Sequence, residues 1–183
     1  MIAKGLHIPA VTLVGVVLAD IGLNVPDYRS SERTFQVLCQ VAGRAGRGGA
    51  MGSVVVQSYM PDHYAIQAAA TQDYESFYHQ EILFRKTYSD PPMGRLIRLI
   101  FNHQGADASR REAQRLANSL RRLAGQWGIS RVQVIGPAPT YPPRNRNGWG
   151  WQILLRGDNP RELLGKVVLP QNWVVDIDPG AVS

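Results

Sequence analysis

VTLVGVVLA, residues 11–19, decides how the first third of the chain is read. It is almost wholly apolar and rich in β-branched residues. A membrane-crossing helix needs about 18 apolar residues, so this run is too short to span a bilayer. It fits a β-strand buried on both faces. ADIGLNVPDYRSS, residues 19–31, follows as a loop of turn formers. Ser30 or Ser31 can cap a helix whose first turn carries Glu32. That helix runs to about Gly43, with Phe35, Leu38, Cys39 and Ala42 on one stripe. SVVVQS, residues 53–58, is a second buried strand. Strand, helix and strand at this spacing make a parallel βαβ unit with a right-handed crossover.

Residues 61–70 read as a short helix and residues 73–89 as a longer one, stopped by Pro91–Pro92. The longer helix both bridges and packs, with Phe77, Ile82 and Phe84 expected in a core. The pattern then restarts. RLIRLIFN is a strand, and residues 107–127 form a helix with an apolar stripe from Ala113 to Trp127. RVQVI is a strand, GPAPTYPPRNRNG a loop, and WGWQILLR a strand with Trp149, Trp151, Ile153 and Leu155 on one face. NPRELLGKV is a helix and NWVVDID the last strand. This βαββαβ order is the split βαβ of ferredoxin-like folds. The expected fold is α/β: a parallel βαβ segment, then an α+β ferredoxin-like domain. The expected boundaries are 1–60, a helical connector over 61–92, and a basic domain over 93–183.

Charge separates the two ends. Residues 1–84 hold five Lys/Arg and seven Asp/Glu, net −2; residues 85–183 hold fifteen and seven, net +8. The basic part suits a polyanion such as nucleic acid, or is a solvated surface. Cys39 is the only cysteine, so no intrachain disulfide and no cysteine-rich zinc cluster can form. The first ten residues lack the layout of a signal peptide, so a cytoplasmic protein without a membrane partner is the default.

QVAGRAGRGG, residues 40–49, ends the first helix with Arg44 and Arg47 three residues apart. In a last helical turn they project to one side. Their planar forks of donors suit phosphate oxygens, and arginine there also suits the helix dipole. Both readings stand on spacing alone. Downstream, Arg144 and Arg146 sit on the Pro-rich loop just before Trp149 and Trp151. Arginine beside aromatics grips single strands, the cation following phosphate while the rings stack on bases. The alternate spacing of the tryptophans equally suits two core side chains. Arg110, Arg111, Arg115, Arg121 and Arg122 cover the polar side of the long helix, as a solvated face or a phosphate-tracking stripe. Asp176 and Asp178 lack a third ligand nearby in sequence and read as structural, so no metal site is expected.

QxxGRxGR resembles the last motif of superfamily 2 helicases. The segment before it resembles the preceding motif, with Lys4–Gly5, Pro9 and Asp20 in place. AKGxHxPxVTLV, PDYRSSERTFQ, QVAGRAGR, DYESFYHQE, GPAP, WGWQILL and the terminal DIDP together resemble the primosomal protein N′ (PriA) family of replication-restart helicases over nearly the whole chain. The resemblance implies an ATP-driven 3′-to-5′ DNA helicase that recognises stalled forks. It implies that the first segment is part of a RecA-like motor lobe. Gln40, Gly43, Arg44 and Arg47 then face nucleotide, with the arginines as fingers on ATP and magnesium held mainly by the other lobe. Asp20 relays between the ATP and DNA sites, and Lys4 and His7 face the DNA backbone. Arg161 lies where the family binds the acidic tail of single-stranded-DNA-binding protein. Primosome proteins and the replicative helicase are further implied partners, with a nucleoid-associated location.

No GxxxxGK(S/T) phosphate loop and no DEEH-type acidic box occurs in the sequence. The zinc that the family carries has no cysteine set here. The resemblance therefore implies a C-terminal portion that alone neither hydrolyses ATP nor unwinds DNA, and whose residues 1–60 are mobile or pair with another copy. The alternative is a stand-alone nucleic-acid-binding module that never touches ATP.

Overall fold

The computed structural model describes residues 11–43, Ala45 and residues 52–180. Lys4, His7, Arg44 and Arg47 lie outside the described residues. Contacts divide the chain into two compact units, Met1–Leu83 and Phe84–Ser183, so the break falls inside a helix.

The first unit contains β1 (Leu13–Val16), α1 (Asp20–Leu23), α2 (Ser30–Ala42), β2 (Ser53–Val56), α3 (Tyr64–Thr71) and most of α4 (Tyr74–Tyr88). β1 and β2 pair in parallel from Leu13–Ser53 to Val16–Val56, as the βαβ pattern demands. The expectation of burial on both faces is corrected. Leu13 is 63%, Val17 72% and Val55 60% exposed. The physical reason is that the described sheet has two strands, and the apolar core is made chiefly between helices. Phe35 and Leu38 of α2 pack with Ala65, Ile66, Ala68 and Ala69 of α3 and with Phe77 of α4. The alanines let α3 lie close, and Phe35 stacks on Phe77 at 4.2 Å between ring centroids. On α4, Glu81 is buried in a position the apolar pattern did not mark, whereas Phe84 stays 45% exposed.

The start of α2 also differs from expectation. Arg29 holds the cap position, with no side-chain cap, and Ser30 and Ser31 are already helical. Asp27 does the organising instead. Its carboxylate accepts the Arg29 backbone N–H at 3.0 Å and pairs with Arg33 at 2.9 Å. At α3 the N-cap is His63, whose Nδ1 accepts the Ala65 N–H at 3.2 Å.

The second unit runs β3 (Arg95–His103), α5 (Ala106–Gln126), β4 (Val132–Asn145), β5 (Gly148–Gly157), α6 (Pro160–Gly165) and β6 (Trp173–Ile177). The element order is the βαββαβ expected from sequence. The sheet order is β4-β5-β3-β6, with every neighbour antiparallel. Inward residues of the central strands, Ile97, Leu99, Ile153 and Leu155, pack with Leu116 and Leu120 of α5 and Leu163 of α6. All seven are within a few per cent of full burial, which makes this the principal apolar core of the unit.

The stretch expected as a loop, residues 136–148, is mostly strand. β4 continues through Pro137, Pro139, Pro142 and Pro143 to Asn145, with register breaks between Ile135 and Ala138 and between Pro139 and Arg144. Proline cannot donate a ladder hydrogen bond, so it is tolerated in a sheet only at edges and bulges. β4 is an edge strand, and its prolines sit at its irregular end.

Candidate nucleic-acid interface

β4 and β5 are joined by Arg146 and Asn147, with Asn145 and Gly148 as the last cross-strand pair. Gly148 has φ +108, a conformation that side-chain-bearing residues rarely adopt. A Cβ there would stand 2.4 Å from the His103 carbonyl oxygen. The hairpin end therefore lies directly on the end of β3. Asn145 Nδ2 donates to Asn102 Oδ1 at 3.2 Å, and the Asn147 N–H donates to Asn145 Oδ1 at 2.8 Å. The start of α5 meets the same place. The Gly105 N–H donates to His103 Nδ1 at 3.0 Å, and Ser109 Oγ donates to the Trp149 carbonyl at 2.8 Å.

Three elements thus converge around Trp149. Arg144 is its cross-strand partner, with the guanidinium carbon 5.8 Å from the ring centroid. Trp149 is 36% exposed and Trp151 is half-buried, whereas Ile153 and Leu155 on the same face are fully covered. The alternation was legible in sequence; the fall in burial toward the hairpin was not. Tyr141, in the second bulge of β4, is 72% exposed and was not singled out by the sequence. The Asn147–Gly148 turn signal could have revealed the hairpin.

The cations of this unit sort by what they already touch. Arg115 grips Glu112 through two bonds of 2.8 Å, and the Trp173 indole donates to the same carboxylate at 3.2 Å. The Arg115 guanidinium holds the Glu112 carboxyl below the usual range, and Arg115 is raised in return. Arg121 donates to the backbone carbonyls of Val134 and Gly136, closing α5 onto β4. Arg131 pairs with Asp158, Arg156 with Asp90 and Lys166 with Glu162. Arg161 lies 3.7 Å from Asp178, which Arg95 also approaches at 3.6 Å. Among the described residues, the side chains of Lys86, Arg110, Arg111, Arg122, Arg144 and Arg146 have no carboxylate partner.

In the first unit, Gln40 is exposed in the last turn of α2 and Gly43 is exposed at its C-cap. Asp20 is buried and opens α1. It accepts hydrogen bonds from Ser58 Oγ at 2.7 Å and from the Tyr59 and Met60 N–H groups at 3.0 Å. The Ser58 bond, with those backbone donors, holds its carboxyl below the ordinary value against the opposing effect of burial. Asp20 thereby ties the segment after β2 to the end of β1. Among the described residues no helix is long and apolar enough to cross a membrane, and no group of three or more His, Cys, Asp or Glu residues could hold a metal ion.

Residues 86–180 match the family model described as primosomal protein N C-terminal domain. The chain is 40% identical over 182 residues to replication restart protein PriA of Synechocystis, covering 100% of this chain and 21% of that protein. It is 40% identical over 156 residues to replication restart protein PriA of Bacillus subtilis, covering 85% of this chain and 19% of that protein. Against replication restart protein PriA of Chlamydia trachomatis the identity is 44% over 189 residues, covering 98% and 24%. The chain spans about a fifth of the length of these relatives.

Proposed function

The chain belongs to the primosomal protein N family, and on that premise we propose that it works in replication restart as the C-terminal portion of an ATP-driven 3′-to-5′ DNA helicase. One observation carries the reading: the family match over residues 86–180 coincides with the unit of net charge +8, two of whose unpaired cations flank an exposed tryptophan. A surface of that kind suits a nucleic-acid backbone. The strand order β4-β5-β3-β6 with its βαββαβ connections supports the ferredoxin-like reading of this unit. The parallel β1–α2–β2 arrangement supports the RecA-like reading of the first.

In this proposal the second unit holds DNA at a fork or a single-stranded arm through Arg144 and Arg146, with the Trp149 ring supporting the Arg144 guanidinium and Trp151 behind it. The end of α2 faces nucleotide through Gln40 and Gly43, and Arg44 and Arg47 stabilise charge on the transferring phosphoryl group. ATP with magnesium supplies the phosphoryl-transfer chemistry, held mainly by residues that this sequence does not contain. Lys4 and His7 contact the DNA backbone. Asp20 contributes by positioning, since its carboxylate is occupied by donors of its own unit. Arg161 offers a cation to an acidic peptide such as the tail of single-stranded-DNA-binding protein, and primosome proteins and the replicative helicase complete the partners. Zinc belongs elsewhere in such a protein, because Cys39 is the only cysteine available as a ligand.

The test is Arg44→Ala in the complete protein that contains these residues. DNA-stimulated ATP hydrolysis should be lost while DNA affinity is kept. Full ATPase in the variant removes the motor role and leaves a nucleic-acid-binding module. DNA-dependent ATP turnover by the 183-residue chain alone would contradict the division of labour.

A further inference from the structure

We propose that the first turns of α5 and the β4–β5 hairpin form one continuous phosphate-binding surface, in which Arg110 and Arg111 join Arg144 and Arg146 on the DNA backbone. This rests on the reading that the second unit binds DNA.

The argument starts from pairing. Of fifteen Lys/Arg in residues 85–183, most are already committed to a carboxylate or a carbonyl within the unit. A guanidinium already held by a carboxylate has fewer free donors, and its charge is partly neutralised, so it attracts a phosphate less. Unpaired, exposed guanidinium groups carry no such handicap. Arg110 and Arg111 are exposed and unpaired on α5, while Arg115 and Arg121 on the same helix are engaged. The expected stripe of five arginines thus breaks in two.

Position then gathers the free cations. Ser109 is bonded to the Trp149 carbonyl, and Arg144 is the cross-strand partner of Trp149. Arg110 and Arg111 follow Ser109 in the first two turns of α5, about 100° and 200° round the helix from it, so Arg110 flanks the face that meets the hairpin and Arg111 stands on the outer face at the same end; Arg146 sits two residues beyond Arg144. Lys86 and Arg122 are the exceptions: Lys86 is in the last turn of α4, and Arg122 lies twelve residues beyond Arg110, about 18 Å along the helix axis at 1.5 Å per residue. The contact is with the backbone rather than with bases. The guanidinium of Arg144 already lies over the Trp149 ring, and Trp151 is half-buried, so neither offers a clear stacking platform.

The experiment measures salt-dependent binding of the 183-residue chain to a labelled duplex of mixed sequence, by fluorescence anisotropy. Each phosphate contact adds about 0.9 to the slope of log K against log salt. The double variant Arg110→Ala/Arg111→Ala should lose about 1.8 from the slope, and affinity by about eightfold per contact at 0.1 M salt. Arg144→Ala/Arg146→Ala should behave alike, and Arg122→Ala should leave the slope unchanged. None of these side chains has an ion-pair partner, so the circular dichroism spectra should match the parent. If the α5 double variant keeps the parental slope while the hairpin variant loses it, the extension to α5 is wrong and the DNA-binding reading stands. If Arg122→Ala lowers the slope as much per residue as the α5 pair, the surface is diffuse charge and the proposal falls. If the parent chain does not bind, the underlying reading falls with it.

Discussion

Replacing Gly148 by alanine probes the contact that seats the hairpin. Two costs combine. Gly148 has φ +108, where a non-glycine residue is strained by about 1–3 kcal/mol. The added Cβ would also meet the His103 carbonyl oxygen at 2.4 Å and its carbon at 2.6 Å. Both are backbone atoms of β3, so no side-chain rotation relieves the clash, and overpacking adds about 1–3 kcal/mol. The expected loss is about 2–6 kcal/mol, a large part of the 5–15 kcal/mol that holds a domain together. All four tryptophans, Trp127, Trp149, Trp151 and Trp173, lie in the second unit, so their fluorescence in urea follows that unit alone. With an m-value of about 1.5 kcal/mol/M, a loss of 3 kcal/mol lowers the midpoint by about 2 M. A midpoint within about 0.5 M of the parent would mean that the hairpin lifts away freely, and the geometry that unites Arg144, Trp149 and Ser109 would lose its foundation.

The opposite outcome is expected at Gly125, near the end of α5, where an added Cβ meets nothing within 4 Å. Gly125→Ala should gain about 0.5–1 kcal/mol of helix propensity and so raise the midpoint of the same fluorescence transition by about 0.3–0.7 M. The first unit should lose stability as pH falls through the histidine range. Burial pushes His63 below its ordinary value of about 6.5, partly opposed by the charges of Glu81 and Asp20. The unfolded chain then binds the proton more readily, so the stabilisation is complete above that value and declines below it, as Nδ1 ceases to accept the Ala65 N–H. His63→Asn keeps a cap acceptor without titrating, so hydrogen exchange across α3 should become independent of pH-driven unfolding near pH 6. Unchanged pH sensitivity in that variant would place its origin elsewhere.

The outline of the fold was legible because it depends on local periodicity. The β-branched runs at residues 13–16 and 53–56 and the 3.6-residue stripe of α5 each carry their own signal. The parallel pair and the βαββαβ order followed from element spacing and from chain handedness, and both are present. The β4 extension was missed because proline is a strong local argument against strand, and only the position of β4 at the sheet edge makes it harmless. The cap of α2 was missed for a related reason: Ser30 fits by type, but buried Asp27 takes over the backbone donor and Arg33.

The candidate site divides in the same way. Charge, the arginine pair at residues 44 and 47, and the tryptophans of β5 are properties of the chain read in one dimension. Which cations remain available is not, because it depends on partners brought from far along the chain. Glu112 claims Arg115 one turn away, yet Asp158 claims Arg131 across twenty-seven residues and Asp90 claims Arg156 across sixty-six. Sequence sets the number of charges; folding pairs some of them with one another and turns others onto carbonyl groups, and which cations then face solvent together is set by packing.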